Sequence, residues 1–92
     1  MRKEKEFNEK LRINYALFHD NIDADRVSMF LFQTENLSYR VFRSIKQKRL
    51  STEKSDALLQ HVFSGCHSEK FIQDFCEALR LADQGFLAEL IQ

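Results

Sequence analysis

Lys70-Phe71-Ile72-Gln73-Asp74-Phe75-Cys76-Glu77-Ala78-Leu79 carries apolar side chains at 71, 72, 75, 76 and 79, the spacing of a helix with one wide apolar face. The same i, i+1, i+4, i+5 doublet precedes it at Leu58, Leu59, Val62 and Phe63, and follows it at Phe86, Leu87, Leu90 and Ile91. Ser51-Thr52-Glu53, Ser68 and Asp83 stand where side-chain oxygens cap the three helices, and Gly65 is placed to end the first of them in the left-handed conformation. Working outward, Leu37, Val41, Phe42 and Ile45 predict a short helix over 38–46. Asp20-Asn21-Ile22-Asp23-Ala24-Asp25 precedes Val27, Phe30 and Leu31 and predicts another over 24–33. Phe7, Leu11, Tyr15, Phe18 and Ile22 form one helical face over about 5–20, with Ile13 and Leu17 as a second inward row beside it. A stripe that wide touches two neighbours, and such a first helix bends or splits.

Composition agrees. The 92 residues amount to one domain, 1–92, able to bury roughly two-thirds of its unfolded surface. Nine Phe and a 43% apolar fraction supply a core, while the absence of Pro and the presence of only two Gly exclude a many-turned β fold. The expectation is an all-α, compact six-helix bundle whose short loops make sequential helices antiparallel or steeply crossed. Phe30, Leu59, Phe71, Phe75 and Leu79 are its expected core. Two cysteines and no leader predict a reducing cytosol, and no apolar run approaches the ~20 residues of a membrane span.

The second half, Leu50-Ser-Thr-Glu-Lys-Ser-Asp-Ala-Leu-Leu59 with Lys70-Phe-Ile-Gln-Asp-Phe-Cys-Glu-Ala-Leu79 and Gln84-Gly-Phe-Leu-Ala-Glu-Leu90, resembles the caspase recruitment domain (CARD) of the death-fold superfamily. The first half fits more loosely, through Leu11, Phe18, Ile22-Asp23 and Leu37-Ser38. The resemblance implies a Greek-key six-helix bundle of the death fold. It also implies a non-enzymatic adaptor that recruits another CARD, of a caspase or adaptor, or a second copy of itself, in cell-death or innate-immune signalling. In that family one recurring contact sets basic residues of helices one and four against acidic residues of helices two and three. Carried over by position, the basic side is Lys10, Arg12 and Lys54, and the acidic side is Asp23, Asp25 and Glu35. The death-effector and pyrin branches share the bundle and are the alternative relatives.

Chemistry that acts on a substrate finds little support. His61, Cys66, His67 and Cys76 lack the paired spacing of a zinc site, and Cys76 falls on an inward face where a small thiol is ordinary. A Cys–His nucleophile needs a cleft that short-looped helical bundles seldom provide, and no Gly-rich phosphate loop is present. No catalytic residue, cofactor or metal is therefore expected. Charge is the informative property. Lys and Arg total 14 against 14 Asp and Glu, yet residues 38–50 hold five basic side chains and no acidic one. Residues 67–92 carry five acidic against two basic, and 21–37 three against one. A neutral domain with segregated signs suits docking of one face on another, so Arg40 and Arg43 join the basic set on the charge map alone. A nucleic-acid patch over 38–50, with Tyr39 and Phe42 stacking on bases, is the competing reading.

Overall fold

The computed structural model describes residues 2–65 and 68–92, with side chains from residue 5 onward. Cys66 and His67 of the weighed metal set lie outside the described residues. Among these, the chain forms seven helices and no strand: α1 (Arg2–Ile13), α2 (Tyr15–Asn21), α3 (Ala24–Gln33), α4 (Tyr39–Gln47), α5 (Ser51–Ser64), α6 (Glu69–Leu81) and α7 (Gly85–Ile91). The all-helical expectation holds, and the count of six does not. The segment expected as one helix breaks at Asn14, whose backbone (φ −101°, ψ 19°) leaves helical geometry. Its Nδ2 donates to the Lys10 carbonyl at 2.8 Å, which also accepts Asn14's own N–H at 3.1 Å. Asn side chains compete for backbone groups in this way and weaken helix interiors.

The break turns the first face around the core. Phe7, Leu11, Phe18 and Ile22 are all buried. Ile13 and Leu17, expected to form a second inward row, instead face solvent, Ile13 at 69% exposure. Phe7 meets the rings of Phe71 (6.5 Å, 86°) and Phe75 (5.9 Å, 87°) edge-on, while Phe71 and Phe75 stack on each other one helical turn apart. These are the favoured geometries for aromatic pairs. α1 thus packs on α6 and α7, α2 on α5, and α3 against α4, α5 and α6, with α4 also resting on α5. The Cα radius of gyration, 11.9 Å, matches the ~12 Å of a single packed domain of this length.

Four of the five expected core residues, Leu59, Phe71, Phe75 and Leu79, are buried; Phe30 is only half-buried. The inward face of α3 is Ala24, Val27, Ser28 and Leu31, and Phe30 sits one residue off it. A similar shift affects α7, where Leu87, Ala88 and Ile91 are buried and Phe86 is 51% exposed.

Capping follows chemistry with three corrections. Ser38 and Ser68 accept the N–H groups of Val41 and Phe71 at 3.2 Å each, as N-cap hydroxyls do. In the Ser51-Thr52-Glu53 cluster only Glu53 acts, its Oε1 accepting from Leu50 N–H at 3.2 Å; Ser51 is already inside α5. Asp83 does not cap α7 but closes α6. It adopts φ 61°, with Gln84 N–H on Leu79 O at 2.7 Å and Asp83 N–H on Arg80 O at 3.0 Å. Glu35 (φ 65°) ends α3 by the same pair of bonds, Asn36 N–H to Leu31 O and Glu35 N–H to Phe32 O. Both are Schellman closures. Gly65, expected in the left-handed region, is extended (φ −104°, ψ 158°).

Two distant turns are tied together by one side chain. Gln84 Oε1 accepts Asp23 N–H at 2.7 Å and its Nε2 donates to Asn21 O at 2.5 Å. Arg26 adds a bond to Leu81 O at 3.0 Å. The start of α3 is thereby held against the α6–α7 turn.

Candidate interaction surface

Helix α4 is attached to the bundle by a narrow apolar edge. Ile45 is buried, and Val41 and Phe42 are half-buried. Phe42 lies flat on Phe32 of α3 (4.7 Å, 7°), and Tyr39 tilts against the same ring at 6.0 Å. Phe42 therefore belongs to an aromatic satellite between α3 and α4, with one face of its ring against Phe32. Tyr39, 61% exposed, leaves most of its ring in solvent.

The rest of α4 and its C-terminal extension is cationic. Arg40, Arg43, Lys46, Lys48 and Arg49 are all exposed. Lys46 Nζ sits 5.5 Å from the Phe42 ring centroid, a cation–π contact. Among the described residues none of the five forms an ion pair with a carboxylate. Four other cations are engaged, Lys70 with Asp74 (2.8 Å), Lys54 with Asp25 (3.0 Å), Arg80 with Glu77 (3.8 Å) and Arg26 with Asp83 (3.9 Å), while Lys5 and Arg12 on α1 are exposed. An open groove of ≈ 510 Å³ runs between α4 and α5, floored by Val41 and Ile45 and edged by Arg40, Lys48 and Gln60.

The residues implied by family resemblance fare unevenly. Lys54 and Asp25, carried to opposite sides of a contact between molecules, are brought together in one molecule. Lys54 Nζ lies 3.0 Å from both Asp25 oxygens, with the lysine side chain only 20% exposed. Asp23 is the N-cap of α3, its Oδ1 accepting Arg26 N–H at 3.1 Å. Lys10 donates to the main-chain oxygen of Gln92 at 2.8 Å. Arg12 on α1 and Glu35 at the α3–α4 turn are exposed. The structure thus joins one acidic and one basic candidate, uses a second acid as a cap, and leaves Arg40 and Arg43 as an adjacent pair one helical turn apart on α4.

Further polar contacts were not legible in the sequence. Asp74 on α6 accepts from Lys70 Nζ and Asn36 Nδ2, both at 2.8 Å, which ties the α3–α4 turn to α6 and holds its carboxyl below the ordinary range. Tyr15 OH donates to Asp56 at 3.2 Å; burial first, then this carboxylate, raises the phenol's pKa. Cys76 is buried, and burial pushes its thiol up, away from the reactive thiolate. Among the described residues no three of His, Cys, Asp and Glu gather as a metal set, and no helix is long and apolar enough to cross a membrane. Searches of protein-family models, of curated proteins and of solved structures return no match for this chain.

Proposed function

We propose that the chain is a non-enzymatic recruitment module of the CARD type, acting in the cytoplasm by docking a second domain of the same fold through oppositely charged faces. The CARD type rests on the resemblance of the core phrases, and docking by charge rests on the uncompensated cationic surface of α4, whose sign is opposite to that of helix three in the family's recurring contact. Five exposed cations without carboxylates mildly repel one another and form a one-sign patch that steers an oppositely charged partner. The helix pairings support the same reading, with α3 central, α1 and α6 carrying the aromatic core, and α2 resting on α5. Leu58-Leu59, Phe71, Phe75-x-x-Ala78-Leu79 and Leu87-Ala88, at the heart of the resemblance, lie in that core, while Leu50 and Phe86 of the same stretches are exposed. Head-to-tail docking of unlike patches does not close, so partners bearing both faces would extend into helical assemblies that gather effector domains.

The test is a pull-down or light-scattering titration against CARD domains with Arg40→Glu/Arg43→Glu, at two salt concentrations. The reading expects association that weakens with salt in the wild type and is lost in the variant, since exposed interface charges act through steering that salt screens. Equal association of both proteins at both salts would move the contact to exposed apolar residues, among them Ile13 and Leu17 on α1 and α2 and Leu81 and Phe86 flanking the α6–α7 turn.

A further inference from the structure

One apolar seam of the bundle stays open to solvent. Lys10 Nζ reaches Gln92 O at one end, and Gln84 bonds Asn21 O and Asp23 N–H at the other, so α7 runs antiparallel beside α1 and α2. Asn14 N–H on Lys10 O and Phe18 N–H on Asn14 O carry helical phase across the break between those two helices. Ile13, Leu17 and Asn21, four residues apart, therefore share the row that leads to the Gln84 contact. On α7, Leu87, Ala88 and Ile91 point inward, and the side at Gly85 faces α6, with Arg80 Cγ 4.0 Å from where a Cβ would stand. Phe86 and Leu90 lie on the other side, next to α1 and α2. Ile13 is 69%, Phe86 51% and Leu17 43% exposed, and Leu90 is half-buried. A contiguous exposed apolar patch marks an interaction site, whereas single apolar residues need no explanation.

We infer that this seam pairs with itself, joining two copies of the chain about a two-fold axis that runs along the helices. A two-fold contact sets one patch against the same patch, so the surface must complement its own kind. Apolar side chains meet that condition; the cationic face of α4 does not, because it would set like charge against like. The rim also selects a copy. Arg12 turns toward α5, where it lines a shallow groove with Phe63, and so borders the seam on one side. Glu89, next to Leu90 on α7, borders it on the other, and both charges are exposed. Among the described residues neither forms an ion pair. An axis along the helices exchanges the two edges, so Arg12 of each copy faces Glu89 of the other. Glu9 and Asp20, also exposed on α1 and α2, would draw a basic protein instead, and that occupant is an outcome of the test. α4 packs on α3 and α5, away from the seam, so the dimer leaves two cationic faces free. Four side chains make a face well below the roughly 800 Å² per partner of a standard interface, and the dimer is correspondingly weak.

The experiment is sedimentation velocity of the 92-residue protein alone, from about 1 μM to about 500 μM. The inference expects a weight-average mass that climbs toward twice that of the monomer, and Ile13→Asp/Phe86→Asp should hold it at the monomer value throughout. Circular dichroism checks that this variant keeps its helices. Leu17→Ser, a milder change in the same seam, should raise the dissociation constant at least about threefold and serves where the double variant does not fold. Arg12→Glu should weaken the dimer about threefold at low salt, and Arg12→Glu/Glu89→Arg should restore it, because the two-fold returns the exchanged charges to each other. A chain that stays monomeric at the highest concentration would overturn the inference and leave the seam to a different protein. Self-association lost in Arg40→Glu/Arg43→Glu and kept in Ile13→Asp/Phe86→Asp would overturn it by moving the contact to α4. Self-association that the charge exchange fails to restore would overturn the two-fold arrangement. The pull-down against CARD domains reads recruitment separately, so either reading can fail alone.

Discussion

Glu35 and Asp83 occupy the left-handed positions that end α3 and α6, while Gly65 is extended and Gly85 opens α7 in an ordinary conformation. A side chain with a Cβ in that region costs roughly 1 kcal/mol relative to glycine. Glu35→Gly and Asp83→Gly should each raise stability by about 0.5–1 kcal/mol, seen as a higher denaturant midpoint at unchanged slope. Glu35→Ala, which keeps a Cβ, should give no such gain. These closures were invisible in the sequence because only glycine announces a left-handed residue, and the chain spends its glycines elsewhere. Asp74 shows the same reach of tertiary context. Lys70 and then Asn36 stabilise its anion, so its folded pKa lies below the ordinary 3.8. The unfolded chain then takes the proton first as pH falls. The contribution of Asp74 is complete above about pH 4 and disappears as pH drops through the lower folded value. Asp74→Asn should flatten the acid limb of stability below about pH 4, measured by urea midpoints across the pH range.

At the scale of elements, the doublets of α5 and α6 were legible because a core face is a periodic property, and Leu58, Leu59, Val62, Phe71, Phe75, Cys76 and Leu79 are all buried. Register at the edges was not. Phe30 and Phe86 satisfy an apolar pattern but stand beside the inward face, a distinction of one residue that only the packed neighbours decide. Two truncations separate the cases. Phe75→Ala removes a fully buried ring in contact with Phe7 and Phe71 and should cost ~3–5 kcal/mol. Phe30→Ala, at a half-buried edge, should cost less than about 2 kcal/mol. Equal losses in denaturant melts would mean that α3 packs in a different register. The split of the first helix was expected from a wide apolar stripe that the structure does not contain, since Ile13 and Leu17 face solvent. Its position at Asn14 follows from a side-chain bond to Lys10 that no periodicity encodes.

Across the whole molecule, net charge and local charge make separable demands, and the candidate site was legible only as the second. The run of five cations is written plainly in residues 40–49, whereas the spending of the acids is a property of the fold: Asp23 as a cap and Asp25 with Lys54 are partners chosen by helix packing. One consequence is that reversal of Asp23 and Asp25 to Lys is not a clean probe of binding. It removes a cap contributing about 1 kcal/mol and an ion pair contributing up to about 1 kcal/mol, so the melting temperature should fall by at least about 4 °C. The clean probe lies on α4, where Arg40 and Arg43 form no ion pair among the described residues; reversal of Lys10 on α1 gives up its bond to Gln92 O, so circular dichroism must show that such a variant keeps its fold. Arg40→Glu/Arg43→Glu and Lys10→Glu/Arg12→Glu each take the neutral chain to a formal charge of −4, two charge units for each of two residues. Long-range steering depends on that total, and both variants should slow encounter with an acidic partner to a similar degree at low salt. Short-range contact depends on where the charge sits. If α4 is the docking face, the Arg40/Arg43 variant should also dissociate at least about tenfold faster, while the α1 variant keeps the wild-type dissociation rate. Stopped-flow or surface binding kinetics at two salts reads both rates. Faster dissociation confined to the Lys10/Arg12 variant would place the contact on α1, where family resemblance puts it, and leave the α4 cations as solvated surface.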